Sequence, residues 1–326
     1  LLITLLKNPN SFSIFSRGFD LAIWRDIKVT STNNLYRGLA GESLLTKTFY
    51  NYPLSVIGAF SKNYLSFFSL DFLFFKGDPV LRHSTGQVGA FLPFTLPFML
   101  YGAFKFFSEE KTRIKKLFLV WILVSPIPAA ITSDGAGYLL RAVTLMPFLT
   151  YFIALGIVKS LDLIRQRSLK ISYALLLLFV ATYSVGSFLY GYFSVYPSLS
   201  AKSYEYGFKD LSQFQQANDN ASMLVVWNGF YPNTVFRFWQ QTPFADYQGF
   251  KPYNHQINHS IFRQTYSNLI IGWPDNPTDL DQALTTIKPD YLAIPVSYNY
   301  ESFFDPIKII NYPDSTPAFF IYKIKP

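Results

Sequence analysis

The chain has 326 residues, half of them hydrophobic and only 15% charged, with no cysteine. A charged fraction below the soluble average of about 25% points to contact with lipid, and the missing cysteine excludes disulfide frameworks and thiolate metal sites. The net charge of +8 does not imply nucleic acid: residues 1 to 194 hold 19 Lys and Arg against 9 Asp and Glu, whereas residues 195 to 326 hold 9 against 11, so the basic excess lies in the apolar part, where membrane topology alone calls for it.

The opening "LLITLL" is too short for a span or a signal peptide and the first residue is Leu, so the sequence is expected to be a piece of a longer protein. Residues 1 to 87 are expected to lie outside the membrane. Within them, "YPLSVIGAFSKNYLSFFSLDFLFF" is an aromatic run interrupted by Lys62, Asn63 and Asp71, which fits a helix lying in the interface. The alternative, a further span, would invert residues 1 to 51 and place those polar groups in lipid at a cost.

Four apolar segments then approach the roughly 20 residues needed to cross a bilayer: Val88 to Phe107, Leu117 to Ile131, Tyr138 to Val158 and Ile171 to Tyr192. Pro93, Pro97, Pro126, Pro128 and Pro147 fall inside them; in a membrane bundle, neighbouring groups can satisfy the carbonyls that proline frees. The connection "SEEKTRIKK" carries Lys111, Arg113, Lys115 and Lys116, and "KSLDLIRQRSLK" carries Lys159, Arg165, Arg167 and Lys170, whereas "TSDGAG" carries no base. The basic loops are therefore expected on the cytoplasmic side, and residues 1 to 87, the Asp134 loop and everything after Tyr192 on the outer face.

From Ser198 the rhythm changes. "MLVVW" at Met223, "LIIG" at Leu269, "YLAIP" at Tyr291 and "AFFIYKI" at Ala318 have the short β-branched or aromatic character of strands. "TDLDQALTTI" places Leu280, Leu284 and Ile287 on one helical face, with Thr278 as the expected cap. The expected fold class is thus an all-α membrane bundle of about four spans (residues 88–194) followed by a small α/β domain (residues 195–326) with parallel neighbours and a hairpin through "NYPDSTPA".

No phosphate-loop pattern, HExxH helix or GxSxG elbow occurs in the sequence. "HQINH" sets His255 and His259 four apart without an accompanying carboxylate motif, a poor metal signal. Trp227, Trp239 and Trp273 suit sugar stacking, although a small sheet more often uses such rings as core. More informative is "FFKGDPVLRHSTGQVG", which brings Asp78, Arg82 and His83 together just before the first expected span, on the same face as Asp134 and Arg141. Arginine suits bidentate pairing with phosphate, and a nearby His or Asp suits orientation of a hydroxyl or of a metal-bound diphosphate. The plainer reading is that Arg141 snorkels to headgroups and Asp78 caps a turn.

The order of "GDPVLRHSTGQVG", then "SPIPAAITSDGAGYLLRAVTLMP", then "YPSLSAKSYEYGFKDL" opening an outer domain resembles the C-terminal half of bacterial GT-C glycosyltransferases, the group that includes protein O-mannosyltransferases and the aminoarabinose transferase of lipid A. The resemblance implies transfer of a sugar from a polyprenyl-phosphate donor to a glycan, lipid or protein acceptor at the outer face of the cell membrane. It places Arg141 beside the carrier-lipid phosphate, puts Asp78, Arg82 and His83 in the loop closing over the site, and sets Asp134 next to it without a defined role. The family's catalytic carboxylate would precede Leu1. No cofactor is implied with certainty; a divalent metal is compatible with the family. A second reading is a membrane-anchored protein whose outer domain binds a glycan or partner without catalysis, and a third, a transporter, lacks a site at the membrane midplane.

Overall fold

The structure, a computed structural model, describes residues 20–41, 43–228, 232–241, 253–264, 268–298, 300 and 305–324. The opening "LLITLL" lies outside the described residues. The chain divides into two compact units, Leu1–Ser194 and Val195–Pro326.

The first unit is helical. It contains α1 (Ile27–Ala40), α2 (Leu44–Phe49) and α3 (Tyr52–Ser66), then α4 (Leu96–Glu109), α5 (Thr112–Val124), the single turn α6 (Ile127–Ala130), α7 (Met146–Asp162) and α8 (Arg167–Ser194). The three early helices start where a polar side chain can accept from an otherwise orphaned amide: Asp26 accepts from Lys28 N, Ser43 from Thr46 N and Asn51 from Leu54 N.

The expectation of four spans is overturned. Among the described residues, two helices are long and apolar enough to cross a membrane, Val143–Asp162 with 20 residues and Arg167–Ser194 with 28. Proline placement causes the difference. Residues 88–92 run as loop, and the regular helix starts only at Leu96, with Pro97 in its first turn; its 14 residues span about 21 Å at the helical rise, short of a hydrocarbon core of about 30 Å. The expected span 117–131 is cut at Ser125, after which Pro126 and Pro128 leave only one further turn. Both prolines lack the N–H that would continue the ladder. The expected span 138–158 is displaced, because Tyr138 and Ala142 leave helical geometry and the continuous helix begins at Val143.

Within this unit α4 packs along α7. A Cβ built on Gly102 would collide with the carbonyl oxygen of Phe152, and one on Gly156 with that of Phe98. Glycine at both positions lets two backbones touch, the device that holds helices together where burial from water cannot. Phe67, Phe72, Phe74, Phe106, Leu145 and Phe152 form the buried centre of this half. By contrast, Gly191 is the one buried residue along α8 among the described residues.

The second unit is built on a seven-stranded mixed sheet: β1 (Met223–Val226), β2 (Tyr253–Ile257), β3 (Ser260–Gln264), β4 (Leu269–Gly272), β5 (Tyr291–Pro295), β6 (Lys308–Asn311) and β7 (Pro317–Lys323). Their order is β2-β3-β4-β1-β5-β7-β6. The central β1 is parallel to both neighbours, with Leu224 opposite Ile270 on one side and Leu292 on the other, and the outer pairs are antiparallel. Met223 and Val225 pack with Phe208 and Leu211 of α9 (Phe208–Ala217) and with Phe236 of α10 (Pro232–Trp239). Leu224 and Val226 pack on the opposite face with Leu280 and Ala283 of α11 (Pro277–Ile287). Successive strand residues point to opposite faces, so covering both faces buries the whole strand. The cap of α11 is Asn276, whose side chain accepts from Asp279 N at 2.9 Å, not the expected Thr278; Pro277, with its fixed φ, takes the first helical position, so the cap falls two residues before the expected one.

The chain is therefore not a four-span bundle with an appended domain. It is a helical unit with two long apolar helices and an α/β unit on a mixed seven-stranded sheet.

Candidate functional site

Two loops of the helical unit carry the residues singled out from sequence: residues 77–92, ahead of α4, and residues 131–142, ahead of α7. Asp78 joins them. Its side chain is fully buried and receives three donors: Val80 N at 2.8 Å on Oδ1, and Leu139 N at 2.8 Å with His83 Nδ1 at 3.1 Å on Oδ2. The first is a local turn bond of the kind aspartate commonly makes. The second crosses 61 residues of chain and fixes one loop against the other.

In the second loop, Arg141 holds Asp134 with both ends of its fork, Nη1 to Oδ1 at 2.5 Å and Nη2 to Oδ2 at 3.1 Å, and Nη1 also donates to Thr132 Oγ1 at 2.6 Å. This planar two-point pairing is the geometry arginine is built for. Burial pushes the Asp134 carboxyl up, but the hydrogen bond and charge of Arg141 outweigh it and hold the group below the ordinary aspartate value. The guanidinium carbon lies 4.2 Å from the centre of the Tyr138 ring, in cation–π range. The His83 imidazole packs against the same ring with centroids 4.7 Å apart. Tyr138 therefore links the Asp78–His83 pair to the Asp134–Arg141 pair.

The loop keeps this shape for local reasons. Gly137 has φ +66°, a left-handed conformation that glycine adopts without cost, and its N–H donates to Ser66 Oγ at 2.8 Å. A side chain at Gly135 would strike the carbonyl oxygen of Ala129. From α3, buried Asn63 donates to Thr132 O at 2.9 Å and to Ala130 O at 3.4 Å, satisfying loop carbonyls that have left helical pairing.

The structure thus gathers Asp78, His83, Asp134 and Arg141 around one ring, while Arg82 lies exposed on the same turn as His83. Sequence reasoning missed Tyr138, Thr132, Asn63 and Ser66. Asn63 did carry a signal, as an amide in the middle of an aromatic helix, where a polar group needs a partner. Elsewhere, His255 lies in β2 and His259 in the turn after it, so the two histidines do not share a helical face. Among the described residues no group of three or more His, Asp or Glu side chains is close enough to hold a metal ion. Trp227 packs edge-on to Phe208 in the core of the sheet unit, Trp273 meets Tyr298 edge-on, and Trp239 is exposed.

Compared with known proteins, the chain matches no family model, no curated protein and no solved structure.

Proposed function

We propose that this chain forms the carrier-phosphate side of an integral-membrane glycosyltransferase of the GT-C type, moving a sugar from a polyprenyl-phosphate donor to an acceptor hydroxyl at the outer face of a bacterial cell membrane. This reading requires a catalytic carboxylate, which enzymes of this type carry in their first external loop. The two long apolar helices support membrane residence, and the reading puts residues 195–326 on the outer face because the basic connection between those two helices, "KSLDLIRQRSLK", fits the cytoplasmic side.

The observation that carries the reading is the state of Arg141, two residues before the apolar helix Val143–Asp162. Asp134 and Thr132 engage the Nη1 side and one Nη2 hydrogen, and Tyr138 supports the flat face. Among the described residues nothing accepts from Nε. Nε–H and the second Nη2–H form the other edge of the guanidinium, two parallel donors matched to a phosphate. Asp134 then serves as the tether that orients the cation without consuming it. The N-terminal end of the following helix adds a favourable partial charge for the same anion. A cation placed where the leaving phosphate gains charge lowers the barrier more than it lowers the ground state.

The test is sugar transfer by the full-length membrane protein. Arg141→Ala should insert and fold normally yet turn over on the order of a hundredfold more slowly, equivalent to about 3 kcal/mol. Arg141→Lys, which keeps the charge and loses the edge, should fall between, and Arg113→Ala in the basic loop should match wild type. Wild-type turnover in Arg141→Ala at saturating donor would reduce Arg141 to a headgroup anchor and overturn the reading.

A further inference from the structure

We infer that the groove between α1 and α3 binds the phosphate headgroup of an anionic phospholipid, at a site separate from the Arg141 loops. This rests on the membrane residence proposed above and is independent of sugar transfer.

The two helices pack side by side and leave a groove of about 340 Å³, lined from α1 by Lys28, Thr32, Asn33 and Tyr36 and from α3 by Ser55 and Lys62. That volume lies at the small end of the range for small-molecule sites. The lining offers two ammonium groups, three hydroxyls and an amide, and no carboxylate. Among the described residues neither Lys28 nor Lys62 is paired with an acidic side chain. A set of donors and positive charge with no negative group to balance it suits an anion with several acceptor oxygens, and lysine serves such an anion as a point charge.

Asn33 distinguishes this groove from a chance pair of surface lysines. It is only 5% exposed, and its Oδ1 accepts from Ser55 Oγ at 3.0 Å, which ties α1 to α3 beneath the groove. Its Nδ2 has no partner among the described residues. A buried donor left unbonded costs free energy, and an anionic oxygen seated between the lysines would supply the missing acceptor.

The flanks decide between a lipid and a free ion. Leu35 and Leu39 stand seven residues after Lys28 and Thr32 on α1, while on α3 Leu54 stands four before Gly58 and Leu65 three after Lys62. Residues at these spacings share a helix face, so all four leucines, each exposed, border the groove. It is therefore polar along its floor and apolar along both sides, the arrangement that seats a headgroup and lays its acyl chains alongside. A free phosphate would use the floor and leave the leucines in water. A basic pocket between helices at headgroup depth is a recurring way to hold an anionic lipid.

The experiment uses the full-length protein in a mild non-ionic detergent, with phosphatidylglycerol, phosphatidylcholine and soluble glycerol 3-phosphate as probes, read by native mass spectrometry for retained lipid and by thermal unfolding. Phosphatidylglycerol should be retained and should raise the unfolding temperature, and phosphatidylcholine at the same concentration should do neither. Lys28→Gln with Lys62→Gln should weaken retention on the order of thirtyfold, the worth of two lysines at an anionic headgroup. Lys111→Gln with Lys116→Gln removes the same charge elsewhere and should match wild type. Gly58 also lines the groove, and a Cβ there meets nothing within 4 Å. Gly58→Leu therefore fills the space without changing charge, and should abolish retention while unfolding at or above the wild-type temperature in lipid-free detergent. Wild-type retention after either groove substitution, equal retention of phosphatidylcholine, or an equal loss in the variant at Lys111 and Lys116 would overturn the site. Displacement of the lipid by glycerol 3-phosphate at equal concentration would give the groove to free phosphate and overturn its lipid occupant. A full-length protein that stays monodisperse without detergent would overturn membrane residence itself, and the lipid site with it.

Discussion

The strand Met223–Val226 and the helix Arg167–Ser194 are both strongly apolar, and they dispose of their side chains in opposite ways. All four strand residues are buried, covered by helices on each face of the sheet. Along the helix only Gly191 is buried among the described residues, and Leu178, Phe179 and Phe193 stay 63%, 69% and 72% exposed. Hydrophobic stabilisation scales with apolar area withdrawn from water, whatever withdraws it. The sheet unit withdraws that area with its own chain. The long helix leaves it on the outside, as helices do whose apolar partner is lipid or another protein.

The sharpest separation comes from matched truncations. Leu224→Ala removes a fully buried side chain from the centre of the sheet and should cost about 2–5 kcal/mol, read by denaturant unfolding of the protein in detergent and by faster amide exchange in β1. Leu178→Ala on the long helix should change stability by less than about 0.5 kcal/mol. Equal costs would erase the contrast between the units.

A smaller effect is expected where the helical unit does pack against itself. Gly156→Ala would drive a methyl group into the carbonyl of Phe98, and a backbone obstacle cannot rotate aside, so a loss of about 1–3 kcal/mol should appear in thermal unfolding. Gly186→Ala on the long helix meets nothing within 4 Å and should be neutral or slightly stabilising, since alanine favours helix over glycine.

The smallest effect concerns the loop pair. Because Asp134 has a lowered folded-state value, its stabilising contribution is present above the ordinary aspartate value of about 3.9 and is lost as pH falls through the lower folded value. The side chain is about half exposed, so Asp134→Asn should cost under about 1 kcal/mol at neutral pH. Unfolding curves of wild type and variant should converge in strong acid; a gap that persists there would mean that Asp134 acts by shape and not by charge.

Legibility in the sequence tracks how local each cause is. β1, β4, β5 and β7 lie where β-branched runs put them, because a strand covered on both faces has an apolar run as its only requirement. The spans are misjudged from sequence because length and hydropathy do not show which prolines start or stop a helix: Pro97 opens α4, and Pro126 with Pro128 limits the chain beyond α5 to a single turn. At the candidate site, Asp78 and His83 are visible as neighbours in sequence, and so are Asp134 and Arg141. That Tyr138 stands between the two pairs, and that Asp78 reaches Leu139 across the loops, depends on tertiary contacts that no local pattern encodes.

The outermost strand β6 has a bearing on behaviour at high concentration. A free sheet edge offers unpaired backbone groups to any extended chain and is a starting point for runaway association. β6 is only four residues long, breaks register at Ile310/Asn311 and begins with Lys308. An incoming strand would find few consecutive partners, a kinked ladder and a positive charge to desolvate. This rim works as a gatekeeper, so copies of the sheet unit crowded together should resist fusing edge to edge.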